Sequence, residues 1–266
     1  MEDQMKKTII AILSVGAVIF LVKEALLHPV KLPDYGTPQR YEKSGLAKYQ
    51  KGDYAGAIAD YTRGIELDPN YALLYNRRAG SEMELQKYAE AEKDINRAIE
   101  LEPTGAGHWF ARGLLKNELK AYEEALADVN KSIQLEPDAE DDMKVMVYFT
   151  RGIIKRNLRD YRGAAKDFSV VISLDLMDAQ VYNNRALSYG HIGKYNEAFA
   201  DFAQALKLSP NDDYIYYERA ELYERLNKHK EAVADYDKAI SLTKDPSFRA
   251  QAEQRRAESK KALRIK

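Results

Sequence analysis

Apolar and small residues return along the chain on two interlocked intervals, one of three to four positions and one of about 34. On the short interval, Tyr54, Ala57 and Tyr61, or Tyr195, Ala198 and Phe202, occupy one face of an amphipathic helix. On the long interval the same offsets refill. Tyr54, Tyr88, Tyr122, Tyr161 and Tyr195 form one series, completed by His229. Ala57, Ala91, Ala125, Ala164, Ala198 and Ala232 form a second, and the large apolar Tyr61, Ile95, Val129, Phe168, Phe202 and Tyr236 a third. An earlier helix in each period carries Tyr41, Tyr75, Trp109, Tyr148, Tyr182 or Tyr216, followed four residues on by Gly45, Ala79, Gly113, Gly152, Ala186 or Ala220. The small residue admits a partner helix closely and the large ones fill the space around it. Turns such as Lys51-Gly52-Asp53 and Ile192-Gly193-Lys194 separate the two helices, and Pro69, Pro103 and Pro137 close successive periods. Each unit is predicted to be a helix-turn-helix that buries its apolar face only by stacking on its neighbours.

These recurring offsets resemble the tetratricopeptide repeat (TPR), with six units over residues 38–245. The resemblance implies an all-α, right-handed superhelical solenoid whose concave face binds peptides or proteins, without catalysis. Three departures bear on stacking: Asp175-Leu176 stands where proline is usual, five additional residues precede the fourth repeat, and Pro246 comes late in the sixth. In the family the first helix of each repeat lines the groove. Carried onto this chain, the groove-facing positions are Phe110 and Leu114, then Met146, Phe149 and Ile153, then Asn183, Asn184 and Leu187. That strip is apolar with an amide edge, a surface suited to protein contact. Glu218, Glu221 and Glu224 make the sixth repeat acidic. Some family members grip a partner's C-terminal carboxylate. The matching positions here hold Glu42, Leu46, Arg77, Gly107 and Ala111, so chaperone binding of that kind is not expected.

Two charged series run through the repeats. Arg78, Arg112, Arg151, Arg185 and Arg219 precede the small residue of the first helix, with Ser44 in the first repeat. Asp60, Asp94, Asp128, Asp167, Asp201 and Asp235 precede the large residue of the second. The repeat lacking arginine is the one without a predecessor, which predicts pairing between neighbours: Asp60 with Arg78, Asp94 with Arg112, Asp128 with Arg151, Asp167 with Arg185 and Asp201 with Arg219. Such pairs fix register between similar units.

Outside the repeats, Thr8 to Val22 is a run of fifteen uncharged residues between Lys6-Lys7 and Lys23. As a helix it spans roughly 22 Å, extended by snorkelling lysines and Ala25-Leu26-Leu27. Residues 1–30 therefore read as a transmembrane anchor with its flanks, and a cleaved signal peptide is the competing reading. Residues 31–37 read as a proline-containing linker. The short basic tail before the apolar run favours a bacterial inner-membrane protein with its repeats in the periplasm. Residues 246–266 are predicted to form a basic capping helix, with Phe248 and Ala252 docked on repeat six and Arg255 or Arg256 answering Asp235.

Composition narrows the chemistry. Forty-one basic residues against 42 acidic ones leave no field for nucleic acid. There is no cysteine, and the four histidines fall in unrelated places. No nucleophile-base set, phosphate loop or metal-ligand cluster is legible, so no catalytic residue, metal or cofactor is expected. The acidic stretch Asp138 to Asp142 lacks the glycine and ligand spacing of a calcium loop.

Overall fold

A computed structural model describes residues 36–174 and 178–264 of the chain. The apolar run Thr8–Val22 lies outside the described residues. The described residues form α-helices joined by short turns and divide into two compact units after Pro69. The first holds α1 (Pro38–Tyr49) and α2 (Tyr54–Leu67), packed on each other. The second holds five further pairs and a terminal helix. The pairs are α3 (Ala72–Glu84) with α4 (Tyr88–Leu101), α5 (Ala106–Glu118) with α6 (Tyr122–Leu135), and α7 (Asp141–Asn157) with α8 (Tyr161–Ser173). They continue as α9 (Ala179–His191) with α10 (Tyr195–Leu208) and α11 (Asp213–Arg225) with α12 (His229–Leu242), before α13 (Pro246–Arg264).

Local sequence sets the helix ends. Asp53, Asp160, Asp178 and Asp212 each accept a backbone N–H from the first turn of the helix that follows, as Asp53 does from Gly56 at 2.9 Å. The turn inside each pair requires one residue in the left-handed region. Gly52 and Gly193 supply it at φ 78° and 79°, as their sequence suggests. Gln86, Lys120, Arg159 and Asn227 adopt it at 56–63°, and here the sequence gives little warning.

Packing follows the large-small pairing. A Cβ on Gly113 would fall 2.6 Å from Val129 Cγ2, and one on Gly152 would fall 2.7 Å from Phe168 Cε1. Glycine is thus the space that the opposite helix fills. Phe168, Phe202 and Tyr236 are fully buried, each contributing about 2 kcal/mol or more by leaving water. The additional residues before the fourth repeat add a turn to the start of α7, which is 17 residues long. Asp141 and Asp142 sit in that first turn, where the positive end of the helix dipole favours carboxylates.

The terminal helix α13 packs on α12 through Phe248 and Ala252, which join Tyr217, Ala220 and Tyr236 in one cluster. The expected contact of Arg255 or Arg256 with Asp235 is not made. Arg219 already holds Asp235 through two bonds of 2.7 and 2.8 Å, so Arg255 turns to Glu224 at 2.5 Å and Arg256 to Asp237 at 2.6 Å.

Candidate functional site: the row of first helices

The arginine–aspartate series is paired within repeats, not between them. Arg78 grips Asp94 through two bonds of 2.5 and 2.7 Å, and Arg112 grips Asp128 at 2.7 and 2.8 Å. Arg151–Asp167, Arg185–Asp201 and Arg219–Asp235 repeat the fork. The reason is geometric: the tight turn folds the second helix back so that residues 16 apart face each other across one hairpin. In the first repeat, where Ser44 replaces arginine, Lys48 reaches Asp60 at 2.7 Å. The link to a neighbour exists but is neutral. Arg112 also donates to Asn96 of the preceding repeat at 3.0 Å, Arg151 to Asn130 at 3.0 Å, and Arg185 to Ser169 at 3.1 Å. Each guanidinium further lies over its repeat's leading aromatic, as Arg112 does over Trp109 at 4.7 Å. Bonded in this way, each arginine ties the two helices of its own repeat together.

In the second unit, the first helices of successive repeats touch (α3 with α5, α5 with α7, α7 with α9, α9 with α11), forming a continuous row. The sequence-predicted groove residues divide along it. Met146 is 51% exposed. Leu114, Phe149, Ile153 and Leu187 are half-buried, each leaning on a core cluster. Phe149 meets Phe168 edge-on, with ring centroids 5.8 Å apart. Phe110, Asn183 and Asn184 are corrections, because all three are buried. Phe110 belongs to the core with Val129, Val147 and Ile154. Asn183 donates to Glu218 at 2.6 Å, and Asn184 accepts from Arg156 at 2.5 Å while donating to the Gln180 carbonyl at 2.7 Å. Both amides thus tie neighbouring repeats together, although Asn183 Oδ1 is buried without a hydrogen-bond partner.

Past Leu187 the row becomes charged. A cavity of about 260 Å³ between α9 and α11 is lined by Leu187, His191, Glu218, Glu221, Arg225 and Arg255, among others. Burial raises the Glu218 and Glu221 carboxyls above their ordinary range. Arg225 donates to the Gly190 carbonyl at 2.6 Å, and His191 stacks on Tyr161 with ring centroids 4.0 Å apart. Burial first, and then Arg225, Arg156 and Arg159, push the His191 imidazole down. Glu224 is met by Arg255, Tyr236 and Ser259, so much of the acidic character expected of repeat six is answered internally.

One series escaped sequence reading. Four residues after each arginine or its counterpart stand Lys48, Glu82, Lys116, Lys155, Tyr189 and Tyr223. Lys155 adds a second cation to Asp167 at 2.8 Å, and Lys116 bridges Glu92 and Glu124 at 2.9 and 3.0 Å. Glu82 breaks the pattern. Its carboxyl is pushed up to about 7, mainly by burial and then by Asp94 nearby. One of its oxygens is buried without a hydrogen-bond partner. The signal was present in the sequence, a carboxylate in a column of cations and phenols, but its meaning depends on how close that column lies to the aspartates.

A row of paired helices with a partly open face defines a helical-repeat solenoid, a fold used by protein-interaction scaffolds. More specifically, tetratricopeptide repeat models match residues 45–79, 76–140, 179–212 and 214–246, and the chain belongs to that family. No curated protein matches the sequence. Among solved structures, it is similar to YrrB, described as a TPR protein with an unusual peptide-binding site, at 19% identity and a TM-score of 0.60, covering 73% of this chain and 97% of that one. It is similar to pilF of Pseudomonas aeruginosa at 16% identity and a TM-score of 0.69, covering 82% and 96%. A tetratricopeptide repeat protein of Parabacteroides merdae aligns at 20% identity and a TM-score of 0.59, over 91% and 92%. At these identities the likeness is one of fold.

Proposed function

We propose that the protein is a membrane-anchored adaptor that holds a partner protein or peptide along the row of first helices in repeats three to five. One observation carries this reading: Met146 stands half exposed beside partly open Phe149 and Ile153, so the middle of the row is an apolar strip. Leu114 continues the strip on one side and Leu187 on the other, next to the charged cavity. A partner with an apolar segment ending in polar or charged groups matches that sequence of surfaces. The peptide-binding site named for YrrB is consistent with this use of the fold. Catalysis and a bound cofactor play no part in the reading.

The anchor is the uncharged run Thr8–Val22, with the short basic tail on the cytoplasmic side and the repeats in a bacterial periplasm. Photo-crosslinking in cells from position 146, with position 124 on a second helix as the control, tests the adaptor reading. A defined product from 146 alone supports it, and equal labelling from both positions removes it. The anchor is tested separately by alkaline carbonate extraction and the N-terminal sequence of the mature chain. Release into the supernatant with residues 1–30 missing would replace the anchor by a cleaved signal.

A further inference from the structure

The second helices carry an opening of their own. Between α8 and the end of α9 lies a crevice of about 570 Å³, framed by Arg162, Ala165, Lys166, Ser169, Tyr189 and Lys194. None of the groove residues named above lines it, and neither does any carboxylate. Val170 and Ile192 complete its walls, so it combines apolar surface with three cationic side chains.

Equivalent positions in neighbouring repeats show why this crevice is open. The residue three before the buried core aromatic or aliphatic is Glu92, Leu126, Ala165, Phe199 and Val233 in repeats two to six, and alanine is the smallest. In the next repeat Phe199 stacks on Tyr223 with centroids 4.6 Å apart, and Lys228 lies over Phe199 at 5.6 Å. Here Ala165 leaves the corresponding tyrosine, Tyr189, without that ring, and Lys194 lies over Tyr189 at 5.4 Å. No ring covers Tyr189 here: Ala165 is itself only 4% exposed, and the cations Lys194 and Arg185 lie over Tyr189 in place of an aromatic partner. Charge differs in the same way. Between repeats two and three the matching crevice contains Lys116, but Glu92 and Glu124 neutralise it at 2.9 and 3.0 Å. In the α8–α9 crevice Lys194 meets Glu197 only at 3.5 Å, and Arg162 and Lys166 have no ion-pair partner among the described residues.

We propose that this crevice is a second docking site, which takes an acidic segment of a partner protein and inserts one of its aromatic or large aliphatic side chains against Tyr189. The inserted side chain takes the place that Phe199 fills in the following repeat, displacing Lys194 from the Tyr189 ring, while carboxylates of the segment meet Arg162 and Lys166. Charge complementarity and a Tyr189 ring covered only by Lys194 and Arg185 together define the occupant. The site is independent of the apolar row, so a scaffold using both would hold two partners, or two segments of one.

The test uses the full chain in dodecyl maltoside and a fluorescein-labelled peptide of repeated Glu-Glu-Leu-Phe, with a Gln-Gln-Leu-Phe peptide as control, read by fluorescence anisotropy. Ala165→Phe fills the crevice as Phe199 fills its own. Arg162→Glu with Lys166→Glu reverses its charge at two exposed positions. The expected result is micromolar binding of the glutamate peptide, weakened at least tenfold by either change and unaffected by Met146→Glu. Absence of binding, equal affinity for the glutamine peptide, or full binding by the charge-reversed chain would overturn the proposal. If Ala165→Phe lowers the melting temperature sharply, the charge-reversed chain alone decides. Self-association abolished by Ala165→Phe would assign the crevice to a second copy, and binding only to phosphatidylglycerol vesicles would assign it to a lipid surface. Either outcome overturns the acidic-peptide reading.

Discussion

Arg112 and Asp128 face each other across a single helical hairpin, joined by two parallel N–H···O bonds of 2.7 and 2.8 Å, while the remaining arm of Arg112 reaches back to Asn96 at 3.0 Å. One side chain therefore closes its own repeat and ties it to the one before. Asp128 is buried, so the pair contributes less by attraction than would be lost if either member stood alone.

Arg112→Leu should destabilise the protein by about 3 kcal/mol, because Asp128 is left buried without its cation. Adding Asp128→Leu should recover most of that loss. Urea unfolding of the two single variants and the double variant measures the coupling, and an additive cycle would mean that the fork has no special role.

Glu82 makes stability fall as pH rises. Its folded-state pKa, about 7 against an ordinary 4.5, lies above the unfolded value. The folded form therefore holds the proton more tightly, and the stability it contributes in acid is lost between about pH 4.5 and 7. Glu82→Gln should be nearly neutral at pH 4.5 and stabilising at pH 8, by at most about 3 kcal/mol. Thermal melts at the two pH values check this, and an equal gain at both would show that the carboxyl is not titrating.

The left-handed turn residues offer a change of either sign. Gln86→Gly should stabilise by about 0.5–1 kcal/mol because it relieves a strained φ of 58° at an exposed site. Gly193→Ala, at φ 79°, should destabilise by about 1 kcal/mol. Denaturant midpoints measured at a common slope would reveal both shifts.

The terminal helix should prove integral to the last repeat. Phe248 is buried against Tyr217 and stacked on Tyr214 with centroids 4.2 Å apart, so Phe248→Ala should cost about 3 kcal/mol. Hydrogen exchange should show the loss concentrated in α11 to α13. Uniform loss over all repeats would mean that the solenoid unfolds as one unit instead of fraying from its end.

Much of the scaffold was legible because helix pairing is written locally. The Tyr-Ala-large spacing of second helices, the small residue of first helices and the closing prolines each bear on contacts within a span of about 34 residues. The charged series were legible as series, but their partners were not. Sequence distance alone does not tell 16 residues within a hairpin from 18 across a boundary, and the turn geometry decides between them. The same limit explains Asn183 and Asn184. Each looks like a free amide in its own repeat, yet the groups that occupy them, Glu218 and Arg156, come from repeats 35 and 28 residues away.

By itself, then, the sequence determined the repeat, the helix pairs and the positions that face a neighbouring helix, since these follow from periodicity and side-chain volume. Which surface remains open was decided only by tertiary structure. Met146 stays exposed while Phe110 is buried, and Ala165 leaves a crevice where Phe199 closes one. Exposure depends on what the adjacent repeat places opposite a side chain, and that is a property of the stack, not of any single unit.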